Sequence, residues 1–248
     1  MPAPALVLWD IDRTLLNAGG ISRELYVRAF ERVVGRPLDI EVDLTGRTER
    51  ASVTETLRRS GISDVTPLLA TFYAEMALAA AALRAEMRRR GRALPAARET
   101  LADLAADGVV QTVVTGNVRP VAEIKLAVFG FTQHLDLDLG GYGDVSADRA
   151  DLVRRAIGRA ESAHATTFDP ARVIVVGDTV HDVRGALDVG VRAVGVASGT
   201  TSVAELTAAG ASAVLSGLTD LAAVRAALFG PQAPAAGAPA PVSVRPGG

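Results

Sequence analysis

The stretch LVLWDIDRTLLNAGG, residues 6–20, decides how the chain is read. Leu6 to Trp9 is an apolar run of strand length, suited to burial on both faces. Two carboxylates, Asp10 and Asp12, follow it directly. Ionised side chains are costly inside a core, so their place is at the strand's end. In an open parallel sheet, ligands bind outside the carboxyl ends of the strands. An Asp-x-Asp pair carries little information by itself, and its meaning depends on what the rest of the chain brings beside it.

Working outward, residues from about Gly20 to Gly91 follow a helical period. SRELYVRAFERVVG opens on Ser22 as an N-cap and stops at Gly35, and TERASVTETLRRSG repeats the scheme up to Gly61. TPLLATFYAEMALAAAALRAEMRRRG predicts one long helix, with Thr66 as cap and Pro67 at the first helical position. Its closing arginines, Arg88 to Arg90, suit the negative end of a helix dipole and read as a solvated helix end. Beyond Gly91 helices and strands alternate. VVQTVVTG, LDLDL, RVIVVGD, RAVGV and AVL read as strands, with helical segments between them. Apolar strands separated by helices predict an α/β fold, a Rossmann-like parallel sheet with helices on both faces and right-handed crossovers. The helical block is then a cap inserted after the first strand. The organisation expected is a core of residues 1–17 and 92–230, a helical cap of residues 18–91, and a Pro/Ala/Gly-rich tail of residues 231–248 that should be disordered.

Composition narrows the function. The 26 basic and 28 acidic residues of the 248 leave a formal charge of −2, which offers no footprint for nucleic acid or an anionic membrane. The chain has no cysteine, so disulfides and thiolate zinc sites are excluded. Its three histidines, His134, His164 and His181, are scattered, and His181 reads as a loop or helix-start residue. The longest apolar run, Met76 to Leu83, is too short to span a bilayer. MPAPALVLWD lacks the charged start of a signal peptide. The expectation is a cytoplasmic protein of undefined oligomeric state.

Three predicted strands end in residues able to do chemistry: Asp10 and Asp12 after the first, Thr115-Gly116-Asn117 after the second, and Asp178 with Asp182 after a later one. If these strands are neighbours, several carboxylates meet in one crevice, raising one another's pKa. A divalent cation relieves that repulsion, and hard oxygen donors without sulfur favour Mg²⁺. Thr115 offers a hydroxyl and Gly116 an N–H at the same strand end.

The ordered set DIDRT, VVTGN and VVGDTVHD resembles the haloacid dehalogenase superfamily, in particular its phosphatases with a helical cap after the first strand. The resemblance spans about residues 5–230. It implies that Asp10 is a nucleophile forming an aspartyl-phosphate. Asp12 then protonates the leaving oxygen and later deprotonates the attacking water. It implies Mg²⁺ held by Asp10, the backbone carbonyl of Asp12, and Asp178, with Asp182 as a further acid. The family places a basic residue, usually lysine, opposite the nucleophile. Arg149 in SADRADLV, 29 residues before Asp178, takes that place, since an arginine fork also clamps phosphate. The runner-up, Lys125, lies mid-helix in AEIKLAVF and is expected to snorkel. Arg13 stands where the family often has glycine, and Thr14 is expected to bond the backbone of the Asp10 loop. In the cap, DLTGRTER places Arg47 in a loop of the kind that reads the substrate in related proteins, here as an anion contact.

These readings predict a Mg²⁺-dependent phosphatase acting on a small phosphorylated metabolite, with phosphoglycolate as one family-level candidate. A phosphomutase of the β-phosphoglucomutase type shares nearly every residue named. A dehalogenase proper lacks the metal and the second acid, so Asp12 and Asp178 argue against it. A phospho-accepting receiver module has a comparable sheet but no use for a large cap.

Overall fold

The computed structural model describes residues 5–230; the expected disorder of the 231–248 tail lies outside them. The sheet elements are β1 (Leu6–Trp9), β4 (Val110–Thr115), β5 (Gly141–Tyr142), β6 (Val173–Gly177), β7 (Arg192–Val196) and β8 (Ala213–Leu215). They form one parallel sheet in the order β5-β4-β1-β6-β7-β8. A separate antiparallel pair, β2 (Leu16–Asn17) with β3 (Arg92–Ala93), ties the two ends of the inserted helices together. The insert holds α1 (Ile21–Val34), α2 (Glu49–Arg59), α3 (Thr66–Ala82) and α4 (Arg84–Arg90). After it come α5 (Ala97–Ala106), α6 (Arg119–Phe129), α7 (Arg149–His164), α8 (Val180–Leu187), α9 (Val203–Ala208) and α10 (Leu221–Phe229).

The two-residue period of β1 sorts its side chains between two apolar cores. Val7 and Trp9 join a core shared with the insert, which includes Tyr26, Phe30, Phe72 and Met76. Leu6 and Leu8 face the other side, against Leu152, Val153 and Ala156 of α7. The Trp9 indole N–H donates to Gln111 (3.1 Å), and the Gln111 amide donates to the Leu101 carbonyl (2.8 Å). The polar groups added to this core are therefore satisfied.

Several local expectations are corrected. LDLDL is not a strand: the Asp138 N–H donates to the Asp136 carboxylate (3.0 Å), a local turn that competes with sheet pairing, and the strand falls on Gly141–Tyr142. The helix over residues 66–90 is broken at Leu83 and bent by 65°. The bend buries Met87 and sets Arg90 against the Gly19 carbonyl (3.1 Å) and Glu24 (3.1 Å), so Arg90 is more than a solvated end. The α1 cap is Gly20, in the left-handed region, and Ser22 lies within the helix; Val65 rather than Thr66 precedes α3. Among the described residues no single helix is long and apolar enough to cross a membrane.

Candidate active site

The strand order answers the question posed by the acids. β4, β1 and β6 are adjacent at the centre of the sheet, so their carboxyl ends open onto one crevice. The Asp10 N–H donates to the Val176 carbonyl (2.8 Å), fixing the nucleophile candidate against the neighbouring strand. The chain then turns sharply. Arg13 takes a left-handed conformation (φ 63°), and its N–H donates to the Leu16 carbonyl (2.6 Å). This turn aims Asp12 back over the crevice. Thr14 is buried but its hydroxyl has no hydrogen-bond partner among the described residues, unlike the backbone bond expected of it.

Asp10, Asp178 and Asp182 offer oxygens that all lie within 4.8 Å of one another. Asp182 is locked by a capping box at the start of α8: the Thr179 N–H (3.0 Å) and hydroxyl (2.6 Å) donate to one of its oxygens. Its other oxygen abuts the Arg149 guanidinium. Arg149 also donates to Asp10 (2.7 Å) and to the Val114 carbonyl (3.1 Å). Burial raises the Asp10 pKa well above the usual carboxylate range, and the charge of Asp182 adds to it. Burial likewise pushes Asp178 up to about 7, again helped by Asp182.

The three acids fit a divalent cation. Their three negative charges against the one of Arg149 leave two unbalanced. The Asp178 Oδ2 is buried without a hydrogen-bond donor among the described residues, an orphaned acceptor of the kind a metal satisfies. Gly199, in the loop after β7, closes this oxygen in: a Cβ there would lie 1.8 Å from it.

Asp12 stands in a different environment. Its Oδ2 accepts from the Lys125 ammonium (2.5 Å) and from the Asn117 amide (2.8 Å). Lys125 does not snorkel. It is fully buried, and it also donates to Asn117 Oδ1 (2.7 Å) and to the Ser22 hydroxyl on α1 (2.8 Å). The Asn117 amide donates to the Thr115 hydroxyl as well (2.7 Å). Thr115, Gly116 and Asn117 thus form the floor of the crevice, below Asp12. Asn117 precedes α6 and Lys125 lies within it, where the other buried side chains are apolar, so no pattern along the chain marks Lys125 as part of the site.

The insert closes over this floor through the start of α2. The N–H groups of Glu49 and Arg50 donate to the carbonyls of Gly116 (2.8 Å) and Gly143 (2.9 Å), so the helix's unpaired donors dock on core loops. A Cβ at Gly116 would lie 2.1 Å from the Arg47 carbonyl, so only glycine lets the insert approach this closely. The resulting cavity has a volume of about 240 Å³, and its lining includes Asp10, Asp12, Asp178, Arg149, Arg47 and Glu49. Arg47 is on its wall, and its guanidinium pairs with Glu55 (2.6 Å). Glu49, Ser22 and Gly199 are residues of the site that the sequence motifs did not single out. His181 is the second residue of α8, apart from the acid cluster.

A doubly wound parallel sheet whose central strands end in such a cluster, under an inserted helical layer, defines a class of capped hydrolases. Comparison with known proteins gives the family: residues 7–187 match the model of the haloacid dehalogenase-like hydrolases, and the chain belongs to that family. It is 30% identical over 202 residues to the tyrosine-protein kinase PtkA of Mycobacterium tuberculosis, across 79% of this chain and 63% of that protein's length. It is 27% identical over 208 residues to a phosphoglycolate phosphatase of Agrobacterium fabrum, across 82% of this chain and 84% of the relative. The fold is also that of CbbY from Rhodobacter sphaeroides, solved in complex with phosphate, with a TM-score of 0.67 at 20% identity over 88% of this chain and 96% of that one.

Proposed function

We propose that the protein is a Mg²⁺-dependent, cytoplasmic phosphatase of small phosphorylated metabolites, working through an aspartyl-phosphate on Asp10. One observation carries the reading. Two acids separated by one residue meet different partners, Asp10 an arginine and two further carboxylates, Asp12 a buried lysine and an amide. Different environments are what two carboxylates need to play two roles.

An Asp10 oxygen attacks phosphorus as the bond from phosphorus to the leaving oxygen breaks. Asp12 delivers a proton to that oxygen, then takes one from the water that attacks the same phosphorus, freeing phosphate and restoring Asp10. Arg149 sits on Asp10 and offsets the charge of an incoming phosphate dianion. Thr115 and Gly116 supply donors to its oxygens, and Lys125 with Asn117 holds Asp12 in place. Mg²⁺, held by Asp10, the Asp12 carbonyl, Asp178 and Asp182, would neutralise phosphate charge as attack proceeds. The helices of residues 18–91 act as a cap that excludes water.

Protein-like substrates fit less well. The cavity, at about 240 Å³, is smaller than the roughly 300–1,000 Å³ usual for drug-sized ligands. The test is phosphate release from a panel of phosphorylated metabolites, with an ATP-plus-peptide arm, by wild type and Asp10→Asn, with Mg²⁺ and with EDTA. Release that needs both Asp10 and Mg²⁺ is expected. Full activity in the variant or in EDTA would sink the proposal, as would phosphotransfer from ATP without turnover of the panel. Conversion of a sugar phosphate into its isomer without net release would identify a mutase instead.

A further inference from the structure

Glu49 is the first residue of α2, and its N–H is pinned to the Gly116 carbonyl (2.8 Å) above the phosphate-facing loop. Its side chain lines the cavity that holds Asp10 and Asp12. The Oε2 is closed off from solvent and has no hydrogen-bond partner among the described residues. Lys125 is the cation that acts on it, and it has nothing left to give: its three ammonium protons go to Asp12, Asn117 and Ser22. The Tyr26 hydroxyl donates to Thr56 (2.8 Å), and the Tyr73 hydroxyl, which feels the charge of Glu49, bonds neither it nor any other of the described residues. A buried acceptor without a donor is destabilising. Glu49 lines the cavity, so a ligand there brings the missing donor once the carboxylate turns toward it.

We propose that Glu49 reads the leaving group of the substrate, accepting a hydrogen bond from a hydroxyl or ammonium beside the ester, and that it excludes phosphorylated carboxylic acids. This rests on the phosphatase reading and narrows its substrate class to phosphate monoesters of small polyols and amino alcohols. Burial pushes the Glu49 pKa up to about 7, so a ligand carboxylate beside it is accommodated only if one of the two acids takes up a proton, a cost that an ester without a carboxylate does not carry. The arginines that could attract such a carboxylate do not counter this. Arg13 and Arg23 are exposed, and Arg47 is engaged by Glu55. Glu49 thus argues against phosphoglycolate, although a relative carries that substrate in its name.

The experiment measures kcat/KM for glycerol 3-phosphate, phosphoethanolamine, phosphoglycolate and p-nitrophenyl phosphate with wild type, Glu49→Gln and Glu49→Ala. Wild type should favour the first two over phosphoglycolate. Their advantage over p-nitrophenyl phosphate, whose leaving group has no second donor, should fall about 10- to 100-fold in Glu49→Ala. The loss should appear mainly in KM. Glu49→Gln, which keeps an acceptor oxygen, should fall between. A wild-type preference for phosphoglycolate overturns the inference, as does an equal loss on all four substrates, which would mark a structural role. Absence of phosphate release from every substrate by wild type would overturn the phosphatase reading itself, a result separate from either.

Discussion

Replacing Lys125 with methionine removes one charge from the inside of the molecule while nearly preserving side-chain length and volume. The wild-type ammonium is fully buried and bonds Asp12 at 2.5 Å, Asn117 at 2.7 Å and Ser22 at 2.8 Å. Breaking a fully buried ion pair by removing one partner costs about 3–5 kcal/mol. Two features reduce that here. The Asp12 side chain is 34% exposed, so water can reach it, and it keeps the Asn117 amide donor at 2.8 Å. We therefore expect Lys125→Met to cost about 2–3 kcal/mol. For a domain of this size, at about 2–4 °C per kcal/mol, Tm should fall by roughly 5–10 °C. Activity should suffer separately. General acid–base catalysis contributes about 10²–10⁴-fold, and a loosened Asp12 would lose part of it. The expected kcat is about 10- to 100-fold lower, with KM within a few-fold of wild type. Thermal unfolding and initial rates on the same preparations test both. A variant with wild-type Tm and kcat would refute the reasoning altogether. A lowered Tm with intact kcat would show that Lys125 supports the fold without positioning Asp12.

Two further outcomes follow from the acid cluster. In Gly199→Ala the new methyl would lie 1.8 Å from Asp178 Oδ2, so the carboxylate must shift; we expect about a 10- to 100-fold weaker Mg²⁺ requirement curve, read by titrating activity with the ion, and an unaltered curve would remove Gly199 from the site. Because folding raises the pKa of Asp10 and pushes Asp178 up to about 7, the native chain binds more protons than the unfolded chain above the ordinary carboxylate range. Stability in EDTA should therefore fall as pH rises from about 4 through about 7, while excess Mg²⁺, which takes the protons' place, should flatten the decline. A Tm in EDTA that is constant or rises across that window would contradict the proposed crowding of acids.

What the sequence made legible was whatever depends on pattern along the chain. Apolar runs ending in Asp10, Thr115 and Asp178 marked three strand ends, and the alternation around them marked a parallel sheet that brings those ends together. What it hid depends on which way a side chain turns. Lys125 on an apolar helix looks like a stem covering hydrophobic surface; only the placement of α6 beside the end of β1 turns its ammonium inward to Asp12. Glu49 is hidden by the opposite disguise. An acid in the first turn of a helix is explained by the helix dipole alone, so nothing in TERASVTE separates a dipole-matching carboxylate from one that faces a ligand. Arg47 is the residue of that loop that the family resemblance marks as a substrate contact. The pairing of Arg47 with Glu55, and the docking of the Glu49 N–H on Gly116, reverse the emphasis: the group that the inserted helices present to the cavity without a hydrogen-bond partner among the described residues is an acid. The cations beside Asp10 and Asp12, Arg149 and Lys125, come from the core. On the proposed role of Glu49, selection at the other end of the crevice turns on hydrogen-bond donors that the substrate must bring.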